Sequence, residues 1–234
     1  MAKFFRNIFR KNVLTQEQKM HTDAPIVIES TSKNDTTRAI YARKFVYEIL
    51  PLLEQVSNQS RYGYHGLTHT EQVAMFGIDL AIAADTDVLP VVLACGLHDC
   101  ARKHDKYDEL HGPACEPIAR KFLAEHYPNV PQPTVEKIVQ AVKNHTTGRQ
   151  APDMISACLW DADRIRLGWE YGYRPQFMST PRGHQLASLS PQDQNTYIAD
   201  QENFLVRHHI KTREQIEFEK ARNMAQNATK FKVR

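Results

Sequence analysis

The stretch from Val88 to about Ala101 constrains this chain more than any other. Val91, Val92, Leu93, Ala94, Cys95 and Leu97 leave it no polar stripe. A helix that is apolar on every side must be surrounded by other elements, so this one is expected at the centre of a helical domain. Its polar tail, His98-Asp99, then places two groups that resist burial at one interior edge. Charge there is costly unless it is paired or bound to a cation. A divalent metal satisfies both groups. Imidazole nitrogen with carboxylate oxygen suits zinc, manganese, iron, nickel or cobalt, whereas calcium takes oxygen alone. Neighbouring helical residues point about 100° apart, so such a metal has to sit at the helix end. Taken alone, the pair reads equally well as a solvated histidine near the negative pole of a helix.

The rest of the chain supports an all-α reading with no alternating, period-two run. Ile40, Phe45, Ile49, Leu52 and Leu53 recur at helical spacing from Thr36 to Val56, with Pro51 bending or ending a turn. Residues 58–66 are a loop. Thr68 is expected to cap the next helix, with Glu71 completing a capping box, and Val73, Phe76, Leu80 and Ala84 carry it to about Asp85. A charged loop over 102–110 precedes helices at about 112–126, 131–145 and 151–167. The glycines and prolines of 168–191 predict a long loop holding Trp169, Tyr171, Tyr173, Arg174, Phe177, Arg182 and His184, a length that is usually functional or mobile. Its aromatic and arginine side chains could stack a base and hold phosphates. Helices at about 192–207 and 212–229 follow. Residues 1–35 read as an N-terminal arm or linker, and 36–230 as the helical domain.

The chain has 234 residues, 41% of them hydrophobic and 24% charged, the composition of one globular domain. A net charge of +3 gives no ground for nucleic acid as a partner. Cys95, Cys100, Cys115 and Cys158 have no CxxC spacing and read as small buried thiols in a reducing compartment, hence a cytoplasmic expectation. No apolar run reaches the roughly 18 residues that a membrane span requires. Residues 1–12 carry Phe4, Phe5, Ile8 and Phe9 among Lys3, Arg6, Arg10 and Lys11. They read as a frayed or docked helix, or else as one in weak contact with a membrane surface. The oligomeric state is left open.

Eleven histidines are many for this length, and several stand at helix edges in an ordered series. His69 opens a helix upstream of His98-Asp99. Asp163 closes an apolar helix downstream within Trp160-Asp161-Ala162-Asp163-Arg164, and His111 and His145 lie between. His104, His126, His184, His208 and His209 read as solvated surface groups.

In this order the chain resembles the HD superfamily of metal-dependent phosphohydrolases, whose pattern is H…HD…D on a helical bundle. The matching stretches are Tyr64-His65-Gly66-Leu67-Thr68-His69, Leu97-His98-Asp99-Cys100-Ala101-Arg102, His111-Gly112-Pro113-Ala114 and Asp161-Ala162-Asp163-Arg164-Ile165, so the motif-bearing part spans residues 64–167. The resemblance implies an HD-domain bundle with a metal site between helices and one ion on His69, His98, Asp99 and Asp163. It also implies a second ion bridged by Asp99, for which His111 and His145 are candidate ligands; binding phosphate and a purely structural role are their alternatives. Family usage favours Asp163 over Asp161, which would then orient a ligand histidine. His65 would contact substrate or support a ligand.

Phosphoryl chemistry also needs positive charge. Arg102, Lys103 and Arg164 stand beside the ligands, and an arginine can grip a phosphate two-pronged. Asp105 and Asp108 are candidates for base or supporting work. The implied reaction is attack by metal-bound water on a nucleotide or other small phosphorylated metabolite, with Asp99, Arg102 and Arg164 in catalytic roles. The place where some superfamily nucleotidases carry a glutamate holds Arg102-Lys103, so the general acid is unnamed. Three rivals remain: a cyclic-nucleotide or alarmone phosphodiesterase, a non-catalytic metal-binding sensor or scaffold, and a di-iron oxygenase. The chain lacks an HHExxxGxGYP stretch, which counts against the cyclic-dinucleotide branch.

Overall fold

The computed structural model describes residues 32–105, 108, 110–171 and 175–231. Expectations placed on residues 1–31, on Tyr173 and Arg174, and on the side chains of Trp169 and Tyr171 lie outside the described residues. The described part is all-α, with no strand. In chain order it runs α1 (Ser32–Lys44), a wide π turn (Phe45–Ile49), α2 (Leu50–Val56), α3 (Leu67–Ala83), α4 (Val88–Leu97), α5 (His111–His126), α6 (Gln132–Asn144), α7 (Met154–Tyr171), a 3-10 turn (Pro175–Phe177), α8 (Pro181–Ala187), α9 (Pro191–Arg207) and α10 (Arg213–Phe231). No described helix is long and apolar enough to cross a membrane.

α4 is the axle of the bundle. Val88 and every residue from Pro90 to Leu97 are buried, and the helix packs against α3, α6 and α7. Its first turn is capped by Asp87, whose carboxylate accepts from the Leu89 amide at 3.2 Å. The helix stops at Leu97, earlier than the sequence suggests. His98 to Ala101 continue as turns, with the Cys100 amide donating to Leu97 O at 3.3 Å and the Arg102 amide to Asp99 O at 2.9 Å.

Three local expectations are corrected. The Thr68–Glu71 capping box does not form. α3 begins two residues earlier, with Gly66 as its cap, and the loop backbone does the capping. Leu67 N donates to Ser60 O at 3.1 Å and Thr68 N to Arg61 O at 3.0 Å, which satisfies first-turn donors that would otherwise be orphaned. The approach is too close for a side chain, since a Cβ on Gly66 would lie 2.7 Å from Tyr62 C and 2.8 Å from Tyr62 O. Thr68 instead donates to Asn223 Oδ1 at 2.8 Å, and buried Glu71 meets Lys211 Nζ at 2.6 Å. Burial pushes the Glu71 carboxyl up against the pull of Lys211. The second correction concerns 168–191. α7 runs on to Tyr171, and Pro181–Ala187 is helical, capped by Thr180 through its hydroxyl. Pro181 sits in the first turn of α8, where its missing N–H costs nothing. Third, Pro51 falls in the first turn of α2, where the π turn gives way to regular helix. The chain widens into the π turn just before it, with Leu50 N–H reaching Phe45 O.

Candidate metal centre

The site is assembled where four helix ends meet. The start of α3 supplies His69, the turn after α4 supplies His98 and Asp99, α5 opens on His111, α6 is followed by His145, and α7 supplies Asp163. His65, His69, His98, Asp99, His111 and His145 are all buried. Their ligand atoms form three overlapping groups, each within 4.8 Å: His65, His69 and Asp99; His69, His98 and Asp163; and Asp99, His111 and His145. Asp99 joins the outer two. Its Oδ2 lies 3.2 Å from His65 Nδ1 and 3.5 Å from His98 Nε2, and its Oδ1 lies 2.8 Å from His111 Nε2 and 3.6 Å from His145 Nε2. Asp163 Oδ1 faces His69 Nε2 at 3.3 Å and His98 Nε2 at 3.7 Å.

Three of these histidines are aimed by one device. His98 Nδ1 lies 2.7 Å from Cys95 O, His145 Nδ1 lies 2.7 Å from Val142 O, and His111 Nδ1 contacts Asp108 O, in each case the carbonyl three residues back. A carbonyl oxygen can only accept, so each Nδ1 carries the proton and donates it. Each Nε2 is then left as a lone pair facing the centre, the arrangement a metal-ligating imidazole needs. Cys115 steadies the same turn, its thiol donating to His98 O at 3.1 Å and its sulfur accepting from Ala101 N at 3.2 Å.

The donor set fits a divalent cation. His69 Nε2, His98 Nε2 and Asp163 Oδ1 are buried with no hydrogen-bond partner among the described residues, and the equally buried Asp99 Oδ1 faces His111 and His145. Native interiors rarely leave such atoms unpaired, and each one calls for an explanation such as an ion. At the other cluster, His111 Nε2 lies 2.9 Å from His145 Nε2 although both rings have committed their Nδ1 protons elsewhere. Two lone pairs that close repel unless one ring takes up a second proton or positive charge lies beside them. Nitrogen and carboxylate donors together select a transition metal over calcium.

Electrostatics separates the two sides. Burial lowers the His98 pKa from 6.5 to about 4, overriding the pull of Asp99 and Asp163, so its lone pair stays available at neutral pH. At His145 burial also disfavours the charge, but the hydrogen bond and charge of Asp99 outweigh it and raise the pKa above 6.5. Burial works against ionising Asp99 and Asp163, yet the surrounding histidines hold both carboxyls below the usual range. Imidazole NMR of the metal-free protein is therefore expected to show His145 taking up its proton above pH 6.5 and His98 only near pH 4. The reverse order would contradict this arrangement. Because folding lowers the proton affinity of His98, this group costs stability as pH falls from 6.5 towards about 4. His145 has the opposite sign. It stabilises below pH 6.5 and loses that contribution as pH rises through its raised value.

Gly112 lets the two helix ends come together. A Cβ there would lie 2.6 Å from Lys143 O and 3.4 Å from His145 Nδ1. Gly112→Ala should destabilise the fold by about 1–3 kcal/mol, the usual cost of overpacking, and part His111 from His145. An unchanged Tm would show that the helices yield freely.

Not every sequence candidate reaches the centre. Arg102 does: it is buried, with a guanidinium nitrogen 3.1 Å from His111 Nε2 and 3.5 Å from Asp99 Oδ1. Lys103 is exposed. Arg164 is turned to the protein backbone, donating to Phe177 O at 2.8 Å and Gly148 O at 2.6 Å with its guanidinium over the Trp160 ring. Its described contacts are thus with backbone and an aromatic ring, not with the ligand cluster. Asp161 does not orient a ligand histidine. It is fully buried and accepts from Ser179 N at 2.8 Å, Thr180 N at 2.7 Å and Thr180 Oγ1 at 2.8 Å. Asp108 lies in the turn before α5, its carboxylate accepting from Leu110 N at 3.1 Å. Sequence reasoning missed Gln59, whose amide holds the Arg102 carbonyl, and Asn58, which donates to Ala101 O at 3.2 Å. Neither residue type announces such a role.

No family model matches this chain, and no curated protein matches it. Among solved structures it is similar to the crystal structure of a predicted HD superfamily hydrolase from an uncultured Thermotogales bacterium, at 17% sequence identity over 82% of this chain and 99% of that one, with a TM-score of 0.44.

Proposed function

We propose that this chain is a metal-dependent phosphohydrolase acting on a nucleotide or another small phosphorylated metabolite. The reading rests on one observation above all: His69, His98, Asp99 and Asp163 converge at buried helix ends, where His69 Nε2, His98 Nε2 and Asp163 Oδ1 lack hydrogen-bond partners among the described residues. These four side chains would hold a divalent ion such as manganese, zinc, iron, nickel or cobalt. Bound there, the ion supplies Lewis acidity for hydrolysis. The protein's own groups do the rest. The backbone carbonyl of Cys95 fixes the His98 ring, and burial keeps that ring neutral. Arg102 is a cation that faces the cluster, and its fixed charge suits phosphoryl oxygens. His65, in contact with Asp99, would orient that carboxylate. Four free, buried cysteines fit a reducing, cytoplasmic setting.

The test pairs elemental analysis with phosphate release over nucleoside mono-, di- and triphosphates, sugar phosphates, cyclic nucleotides and alarmones. Turnover that chelation abolishes and added manganese restores is expected. Metal-loaded protein that hydrolyses none of these would overturn the reading and favour a sensor. Cleavage of cyclic nucleotides or alarmones alone would select the phosphodiesterase alternative. Oxygen uptake by an iron-loaded form would select the oxygenase.

A further inference from the structure

We propose that Arg102 is the built-in cation of the second cluster, and that its guanidinium keeps a second divalent ion out. The inference rests on the reading that the first cluster holds a metal, and it fixes the count at one.

The second cluster consists of Asp99 Oδ1, His111 Nε2 and His145 Nε2. Two of these three atoms already face Arg102: His111 Nε2 at 3.1 Å and Asp99 Oδ1 at 3.5 Å. The guanidinium lies against the His111 ring, 3.1 Å from Nε2 and 3.4 Å from Nδ1, so its fixed charge sits beside the cluster. A divalent ion there would need the same lone pairs and would stand against a like charge. Guanidinium cannot relieve the conflict by losing a proton, because it stays ionised at any pH a protein survives.

Nor is the side chain loosely placed. Arg102 Nε donates to His104 O at 3.1 Å, its amide donates to Asp99 O at 2.9 Å, and its carbonyl is held by the Gln59 amide. The residue is 8% exposed. It follows the HD pair by three positions, so the turn that presents Asp99 also carries the cation that covers one of its oxygens. The arrangement explains how His111 and His145 can approach within 2.9 Å with both Nδ1 protons engaged elsewhere, since fixed positive charge lies beside them. It also gives the site one mobile charge and one rigid charge: an ion on the first cluster and a guanidinium on the second.

The experiment is metal stoichiometry. Full-length wild type and Arg102→Met are stripped with chelator, reloaded with manganese and measured by mass spectrometry, with electron paramagnetic resonance to detect coupled ion pairs. One ion per chain is expected in wild type. Two are expected in Arg102→Met, with a coupled spectrum, falling back to one when His111→Ala is added. One ion in both wild type and Arg102→Met overturns the inference and leaves the hydrolase reading standing. Two ions in wild type also overturn it, and this result does not depend on whether any variant folds. Metal-free protein in both cases overturns the inference together with the metal-dependent reading beneath it.

Discussion

Asp99→Ala is expected to bind no divalent ion tightly and to lose at least about a hundredfold in kcat/KM on whichever phosphoester proves to be a substrate. The reason is topological as well as chemical. Asp99 belongs to two of the three ligand groups, and its two oxygens face opposite histidine sets: His65 and His98 on one side, His111 and His145 on the other. Removing it leaves these rings with Asp163 as the one carboxylate in the clusters. Changing a residue that merely supports a ligand typically costs about 10- to 100-fold, so a shared ligand should cost more. Elemental analysis and steady-state kinetics on wild type, Asp99→Ala and Asp99→Asn measure the effect. Asparagine keeps the volume and removes the charge, which separates packing from coordination. Wild-type metal content in both variants would place the ion elsewhere.

Asp161→Ala should produce the largest loss of stability while sparing the metal. Asp161 stands two residues before Asp163 yet faces a different part of the fold. Its carboxylate gathers the Ser179 amide, the Thr180 amide and the Thr180 hydroxyl, and it is fully buried. Hydrogen bonds to a charged group are worth about 1.5–3 kcal/mol each, and alanine would strand several donors at once. A loss of about 3 kcal/mol or more follows, which for a chain of this size lowers Tm by roughly 6–12 °C. The surrounding space is tight, since a Cβ on Gly183 would lie 2.3 Å from Asp161 Oδ2. Calorimetry with metal analysis checks both halves. The folded Asp161→Ala protein should keep wild-type metal content, whereas Asp163→Ala should not. Metal loss without a change in Tm would return Asp161 to the coordination sphere.

These two aspartates show where reading the sequence succeeds and where it stops. The spacing of His69, His98, Asp99 and Asp163 singles out residues that the fold does bring together. Buried charge at helix ends leaves a trace in composition: acidic and imidazole groups interrupt runs that are otherwise apolar. Asp161 sits in the same kind of run and leaves the same trace, but its partners are amides some 18 residues away, and backbone donors have no sequence signature. The contacts of Arg164 are hidden from the sequence for a similar reason. Its guanidinium meets carbonyls at Phe177 and Gly148, which any residue could supply.

What the sequence determined by itself is the helical class, the burial of α4 and the residues whose chemistry has to be accommodated at its end. Periodicity and polarity are local properties, and each position carries them openly. The tertiary structure alone decided which side of each ligand faces which. It set the three i−3 carbonyls that orient His98, His111 and His145, the close helix approach allowed by Gly112, and the loop backbone that caps α3 in place of Thr68. It also decided that Arg102 turns inward to Asp99 and His111 while Arg164 turns away. Those choices depend on the packing of four helix ends from distant parts of the chain. A long cationic side chain reaches several angstroms in any direction, and only its neighbours in space determine where its charge comes to rest.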